Sequence, residues 1–95
     1  MIKQIEITVT GKVQGVFFRE STKGEARKLG IVGTIKNLPT GNEVFIIAQG
    51  EELKLSEFIG WCHQGPPAAN VEKVEVVDVP VEEGKYASFE IDLRR

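Results

Sequence analysis

The hydrophobic period of this chain switches several times between two residues and three to four, and that switching restricts the folds it can adopt. Ile5, Ile7 and Val9 alternate with Glu6, Thr8 and Thr10, the pattern of a strand with one buried face, which predicts a strand over 3–13. From Phe18 the period lengthens: Phe18, Thr22, Ala26 and Leu29 recur at helical spacing, and Gly30 follows as a helix stop. Gly24 weakens that helix relative to alanine and would let it lie close against a sheet. The run GIVGTIKNLPTGNEVFIIAQG reads as two strands around Leu38-Pro39-Thr40-Gly41-Asn42, whose residue types suit a tight turn. Leu55, Phe58, Ile59 and Cys62 return to helical spacing, with acids in the first turn and His63 in the last. Gly65, Pro66 and Pro67 end this second helix, and VEKVEVVDVP resumes a strand that stops at Pro80. After the polar VEEGKY loop, Ala87, Phe89, Ile91 and Leu93 alternate with Ser88, Glu90 and Asp92 as a closing strand.

The order β, α, β, β, α, β plus a C-terminal strand matches the split βαβ, ferredoxin-like sandwich. This α+β fold is expected to hold an antiparallel sheet with both helices on one face. Ninety-five residues suffice for one such unit and leave no room for a second, so residues 1–95 are expected to be a single domain. The sequence opens and closes on complete strand patterns, which disfavours a domain cut from a larger protein. With 41% hydrophobic and 27% charged residues, the chain can bury a core, which excludes wholesale disorder. The fold does not choose a function, because such domains serve as RNA binders, metal carriers, regulators and enzymes.

Charge narrows the choice. Residues 1–40 carry seven Lys or Arg against three acids, a net of +4, whereas residues 41–95 carry five against eleven, a net of −6. The split suggests an anionic partner for the first half, although solvated charges on unrelated faces would give the same count. Cys62 is the only cysteine, so an internal disulfide and a cysteine-rich metal site are excluded. The opening MIKQIEITVT carries charges where a leader peptide has an apolar block, and no apolar run approaches the ~18 residues of a membrane span. A cytoplasmic protein without a membrane segment is expected.

The chemistry points to the segment Gly11-Lys12-Val13-Gln14-Gly15-Val16-Phe17-Phe18-Arg19, which joins a strand to a helix N-terminus. Backbone N–H groups there lack intrahelical partners, and a glycine turn can aim several of them at one anion. Arg19 would add a planar charged fork to that anion. An ordinary turn with an exposed arginine is the alternative. Asn37, at the end of the strand before the Leu38–Gly41 turn, is the second candidate; bonding to nearby backbone is its plainer role. Other chemistries fare worse. One Cys and one His cannot supply a Cys/His structural zinc site, and as helix neighbours Cys62 and His63 point about 100° apart, which suits a core thiol and a helix-end histidine. No GxxxxGK[ST] loop is present, and no basic strand carries the alternating aromatics that nucleic-acid recognition would need.

The runs GKVQGVFFR and GIVGTIKNLPTG, with the closing YASFEI, resemble the acylphosphatase family over essentially the whole chain. The first run matches G-x-V-Q-G-V-x-F-R at every fixed position, and the second matches G-x-V-G-x-x-x-N-x-x-x-G from Gly30 through Asn37 to Gly41. The resemblance implies a cofactor-independent, metal-free hydrolase that splits acyl phosphates into a carboxylate and inorganic phosphate. By position it implies that Arg19 binds the phosphate and that Asn37 orients the attacking water. The amides of Gly15, Val16, Phe17, Phe18 and Arg19 would form the cradle. Thr34 stands where the family often has an aromatic residue.

Arginine and asparagine are neither general acids nor bases near neutral pH, so catalysis must come from positioning and charge stabilisation. That suits an acyl phosphate, because a carboxylate of pKa about 4 leaves without a proton donor, whereas a simple alkoxide needs one. The phosphoryl oxygens are then the expected acceptor for the proton of the water. The partners expected are a small acyl phosphate and its phosphate product, with no nucleic acid or membrane and with the chain as a monomer. The rival reading is a non-catalytic anion-binding or regulatory module of the same fold, expected to bind phosphate or nucleic acid without turnover. Retention of both Arg19 and Asn37 speaks against it. Lys12 and Lys36 flank the motifs and would steer an anion inward, while Lys3, Lys23, Arg27 and Lys28 are expected on solvated faces.

Overall fold

Period-two alternation produces five strands in the computed structural model, which describes residues 1–93. In chain order they are β1 (Ile2–Lys12), β2 (Val32–Asn37), β3 (Glu43–Glu51), β4 (Asn70–Val79) and β5 (Phe89–Ile91). Helix α1 (Phe18–Lys28) follows β1, and α2 (Glu52–Gln64) follows β3. Across the sheet the order is β4-β1-β3-β2-β5. In the antiparallel β1–β3 pair, Ile5, Ile7 and Val9 lie opposite Ala48, Ile46 and Val44. None of these six is more than 4% exposed, and a one-residue slip would turn all of them to the other face.

Both helices cover that face. Helix α1 buries Phe18, Thr22 and Ala26 and packs on β2 and β5; α2 buries Leu55, Phe58 and Cys62 and packs on β1, β3 and β4. Phe58 meets Phe89 edge-on with ring centres 6.1 Å apart, and Phe18 meets Trp61 at 5.7 Å. Each such ring contributes about 1.5–3 kcal/mol by leaving water. Thr22 is tolerated in the core because its hydroxyl donates to the Phe18 carbonyl at 2.7 Å. Burial pushes the Cys62 thiol up to about 12, so it acts as a small apolar side chain, while His63 stands exposed beside it.

Two expectations change. Gly24 faces open space, with nothing within 4 Å of a Cβ built there, so it does not bring α1 close to the sheet. Close backbone approaches are made instead at Gly11, where the β1–β4 register shifts and a Cβ would collide with the Asn70 carbonyl oxygen, and at Gly33, where it would collide with that of Ile47. The sheet is also mixed rather than wholly antiparallel, because β5 pairs in parallel with β2, from Gly33↔Phe89 to Ile35↔Ile91. Strand β5 reverses the direction of β4 but lands on the far edge beside β2, which already runs that way. The connection crosses the open sheet face, where Gln4 donates to the Glu82 carboxylate at 2.8 Å and accepts from the Glu82 N–H at 2.8 Å. Gln49 donates to both Gln4 (3.0 Å) and the Glu82 carbonyl (3.1 Å), closing a polar cluster that leaves Gln4 only 2% exposed.

Candidate active site

The bulge at Gly11 ends the regular pairing of β1 and turns the chain into the 13–17 loop. Val13 and Val16 are buried and anchor this loop, while Gly15 and Phe17 face solvent. Both exposed residues are left-handed: Gly15 has φ 73°, and Phe17, capping α1, has φ 63° and ψ 23°. A left-handed backbone is ordinary for glycine and costs a bulky residue about 1–3 kcal/mol. Phe17 is held there by buried neighbours on either side and by the Ser21 N–H, which donates to its carbonyl at 3.0 Å. The left-handed residues thus flank Val16 on both sides. No side chain caps α1, and no N–H of residues 15–19 finds an acceptor among the described residues.

A cavity of about 730 Å³ opens beside this loop. Half-buried Arg19 reaches it from the first turn of α1, and Asn37 reaches it from the end of β2. The cavity therefore unites the two side chains that the motifs single out, although they are 18 positions apart in the chain. The other residues expected to form the phosphate cradle, Gly15, Val16, Phe17 and Phe18, are not among those that line it. Arg19 has no ion-pair or hydrogen-bond partner among the described residues. Asn37 Oδ1 is buried without a hydrogen-bond partner among them. Unsatisfied buried acceptors cost about 1–3 kcal/mol, so a protein keeps one where a ligand or reacting group is to be met.

The surroundings separate the other cations. Lys36 lines the cavity with Asn37, whereas Lys12 does not and lies at the β4 side of the sheet, opposite Asn70. Arg27 is more than a solvated charge: its Nε donates to the Phe89 carbonyl at 3.3 Å and its Nη2 to Glu90 at 3.0 Å, tying α1 to β5. The same pair, with the Ser88 hydroxyl contributing most, holds the Glu90 carboxyl below its usual range. Thr34 lies outside the cavity lining, opposite Ile47, so its departure from the family pattern falls on the sheet face away from the helices.

Three contributors were missed from sequence: Gln14, Asp92 and Leu93. Gln14 lines the cavity and donates from one Nε2 to the carbonyls of Leu38 and Glu43, both at 2.9 Å. Leu93, 77% exposed, lines it just beyond β5. The Val-Gln-Gly spelling marked Gln14, but nothing local in the sequence shows that it reaches a turn 24 residues away.

The chain is thus a split βαβ sandwich of the ferredoxin-like class in which an arginine and an orphan asparagine meet at one cavity beside an uncapped helix N-terminus. Comparison with known proteins narrows it. The acylphosphatase family model matches residues 5–91. An acylphosphatase of Archaeoglobus fulgidus is 51% identical over 87 residues, covering 92% of this chain and 94% of that one. One from Rubrobacter xylanophilus is 46% identical over 89 residues, covering 94% and 79%. The solved acylphosphatase of Bacillus subtilis superposes with a TM-score of 0.89 at 36% identity, covering 97% of this chain and 99% of that one. This chain belongs to the acylphosphatase family. It is an enzyme that hydrolyses acyl phosphates.

Proposed function

We propose that Arg19 and the backbone amides of residues 15–19 hold the phosphoryl group of an acyl phosphate while Asn37 orients the attacking water. The observation that carries this reading is the pairing in one cavity of an unpartnered arginine and a buried, unpartnered amide oxygen. Arg19 and the free amides meet the equatorial phosphoryl oxygens, where negative charge is held in the transition state. Asn37 Oδ1 accepts a hydrogen bond from the water and so fixes its line of approach. The P–O bond to the acyl group breaks as the bond to the water oxygen forms; the carboxylate leaves unprotonated, and the proton of the water passes to a phosphoryl oxygen. Neither residue exchanges a proton, so the chemistry asks for no protein acid or base. On this reading residues 1–95 act as one monomeric cytoplasmic domain that requires no metal or other cofactor, nucleic acid or membrane.

The test is benzoyl phosphate hydrolysis, with inorganic phosphate as a competitive inhibitor. Arg19→Gln should lose phosphate inhibition and at least about a thousandfold in kcat/KM. Asn37→Ala should keep the phosphate inhibition constant within about threefold while kcat falls by a hundredfold or more. Near-normal turnover by either folded variant overturns the assignment.

A further inference from the structure

We infer that Gln14 is a positioning residue that sets the spacing between the phosphate cradle and Asn37. The inference rests on the roles just assigned to Arg19 and Asn37. Gln14 directly precedes Gly15, the first cradle residue, and its carboxamide spans to the opposite wall of the cavity. One Nε2 donates at 2.9 Å to the carbonyl of Leu38, which directly follows Asn37. The same nitrogen donates at 2.9 Å to the carbonyl of Glu43, where β3 starts. A primary amide nitrogen has two hydrogens, and both are used. The bonds therefore join the 13–17 loop to both ends of the 38–43 turn.

These bonds hold geometry more than they rescue polar groups. The Leu38 carbonyl already accepts from the Gly41 N–H at 3.3 Å, and the Glu43 carbonyl already accepts from the Leu38 N–H at 3.0 Å. Removing the Gln14 amide therefore orphans neither carbonyl. What it removes is the side-chain cross-link from the loop itself to the turn; the backbone bond from the Gly11 N–H to the Asn42 carbonyl at 2.9 Å stays, but it leaves the chain before the loop begins. The two candidate groups lie on opposite sides of that link: Arg19 and the amides move with the 13–17 loop, and Asn37 moves with the turn. Attack by an in-line water needs both halves in register to within about an ångström, and a misplacement of that size costs about a hundredfold. Binding of phosphate needs only the cradle half.

The experiment compares Gln14→Leu, Gln14→Glu and Asn37→Ala with the intact enzyme on benzoyl phosphate. Gln14→Leu keeps the side-chain volume and removes both donors. It should lower kcat by tenfold to a hundredfold, with the phosphate inhibition constant moving less than about threefold. Gln14→Glu tests the donor itself. Its carboxylate faces two carbonyl oxygens, which raises its pKa and leaves no donor at neutral pH, whereas its protonated form regains one. The kcat of this variant relative to the intact enzyme should therefore rise as pH is lowered from 7 to 5, a limb that a loss of packing would not produce. The inference fails if folded Gln14→Leu turns over within threefold of the intact enzyme. It also fails if phosphate affinity falls as much as kcat, or if the Glu variant lacks the acid limb. Should Gln14→Leu not fold, the Glu variant decides alone, since its pH limb is read against its own neutral rate. An inactive Asn37→Ala beside an active Gln14→Leu overturns this inference alone; an active Asn37→Ala overturns the underlying assignment.

Discussion

The two strand-to-helix junctions of this fold occupy equivalent places and do opposite things. Between β1 and α1 the chain spends residues 13–17 on a loop with two left-handed positions. Between β3 and α2 it spends none: Glu51 ends the strand in extended conformation and Glu52 begins the helix. The second junction is filled by its own chain. The N-terminal amine donates to Glu51 at 2.7 Å, Lys3 pairs with Glu52 at 3.1 Å, and the Glu52 N–H donates to the Met1 carbonyl at 3.2 Å. Carboxylates there satisfy the helix dipole and repel an anion, so a positive helix end becomes a phosphate site only where the chain leaves its amides open. The +4 and −6 halves of the sequence mirror this division, with the cation-rich half bringing Arg19, Lys36 and Asn37 to the cavity.

Four further perturbations would break or sharpen that contrast. The largest effect belongs to the core beneath the second junction. Phe58→Ala removes a fully buried ring packed on Phe89 and should lower unfolding free energy by about 3–5 kcal/mol in urea titrations. The phosphate inhibition constant of the remaining folded enzyme should stay unchanged, and a matching loss of affinity would mean the two halves are not separable. Next comes Gly15→Val, which asks a β-branched residue to hold φ 73°. Space around its Cβ is open, so the loop can relax out of the left-handed region. Relaxation should weaken phosphate inhibition by about 10–100-fold, the equivalent of the strain, with little change in Tm. Glu51→Ala at the opposing junction should leave that constant within about twofold.

The smallest effect lies far from both junctions. Lys85 and then Gln4 hold the Glu82 carboxyl below its usual range, so the fold favours the ionised form. That contribution is present above the ordinary carboxylate pKa near 4.3 and is lost as pH falls through the lowered folded value. Glu82→Gln should therefore lower Tm slightly at pH 7, with the gap to the intact protein closing toward pH 3 and no change in turnover at pH 7. A gap that widened in acid would contradict the sign.

Strands and helices were readable because each buries one face. Ile5, Ile7 and Val9 pointed inward as their alternation requires, and Phe18, Thr22 and Ala26 did so at helical spacing. Arg19 and Asn37 were readable through two motifs whose spacing the resemblance made specific. Gly24 misled, because a helical glycine carries no mark that tells a packed face from a solvated one. Arg27 and Gln14 were hidden for a related reason: each is polar, half-buried or exposed by local pattern, and gains its role from a carbonyl 62 or 24 residues away.

Local chemistry in the chain thus determined the element order, the inward faces, the turn at Leu38–Gly41 and the two motif residues. It could do so because hydrophobic period and turn geometry act over a few neighbouring residues. The tertiary structure alone decided that β5 joins β2 in parallel, that Gly11 closes against β4, and that one glutamine amide ties the 13–17 loop to the turn beside Asn37. Those features depend on which distant backbones meet, and no local period in the sequence encodes a meeting across the sheet.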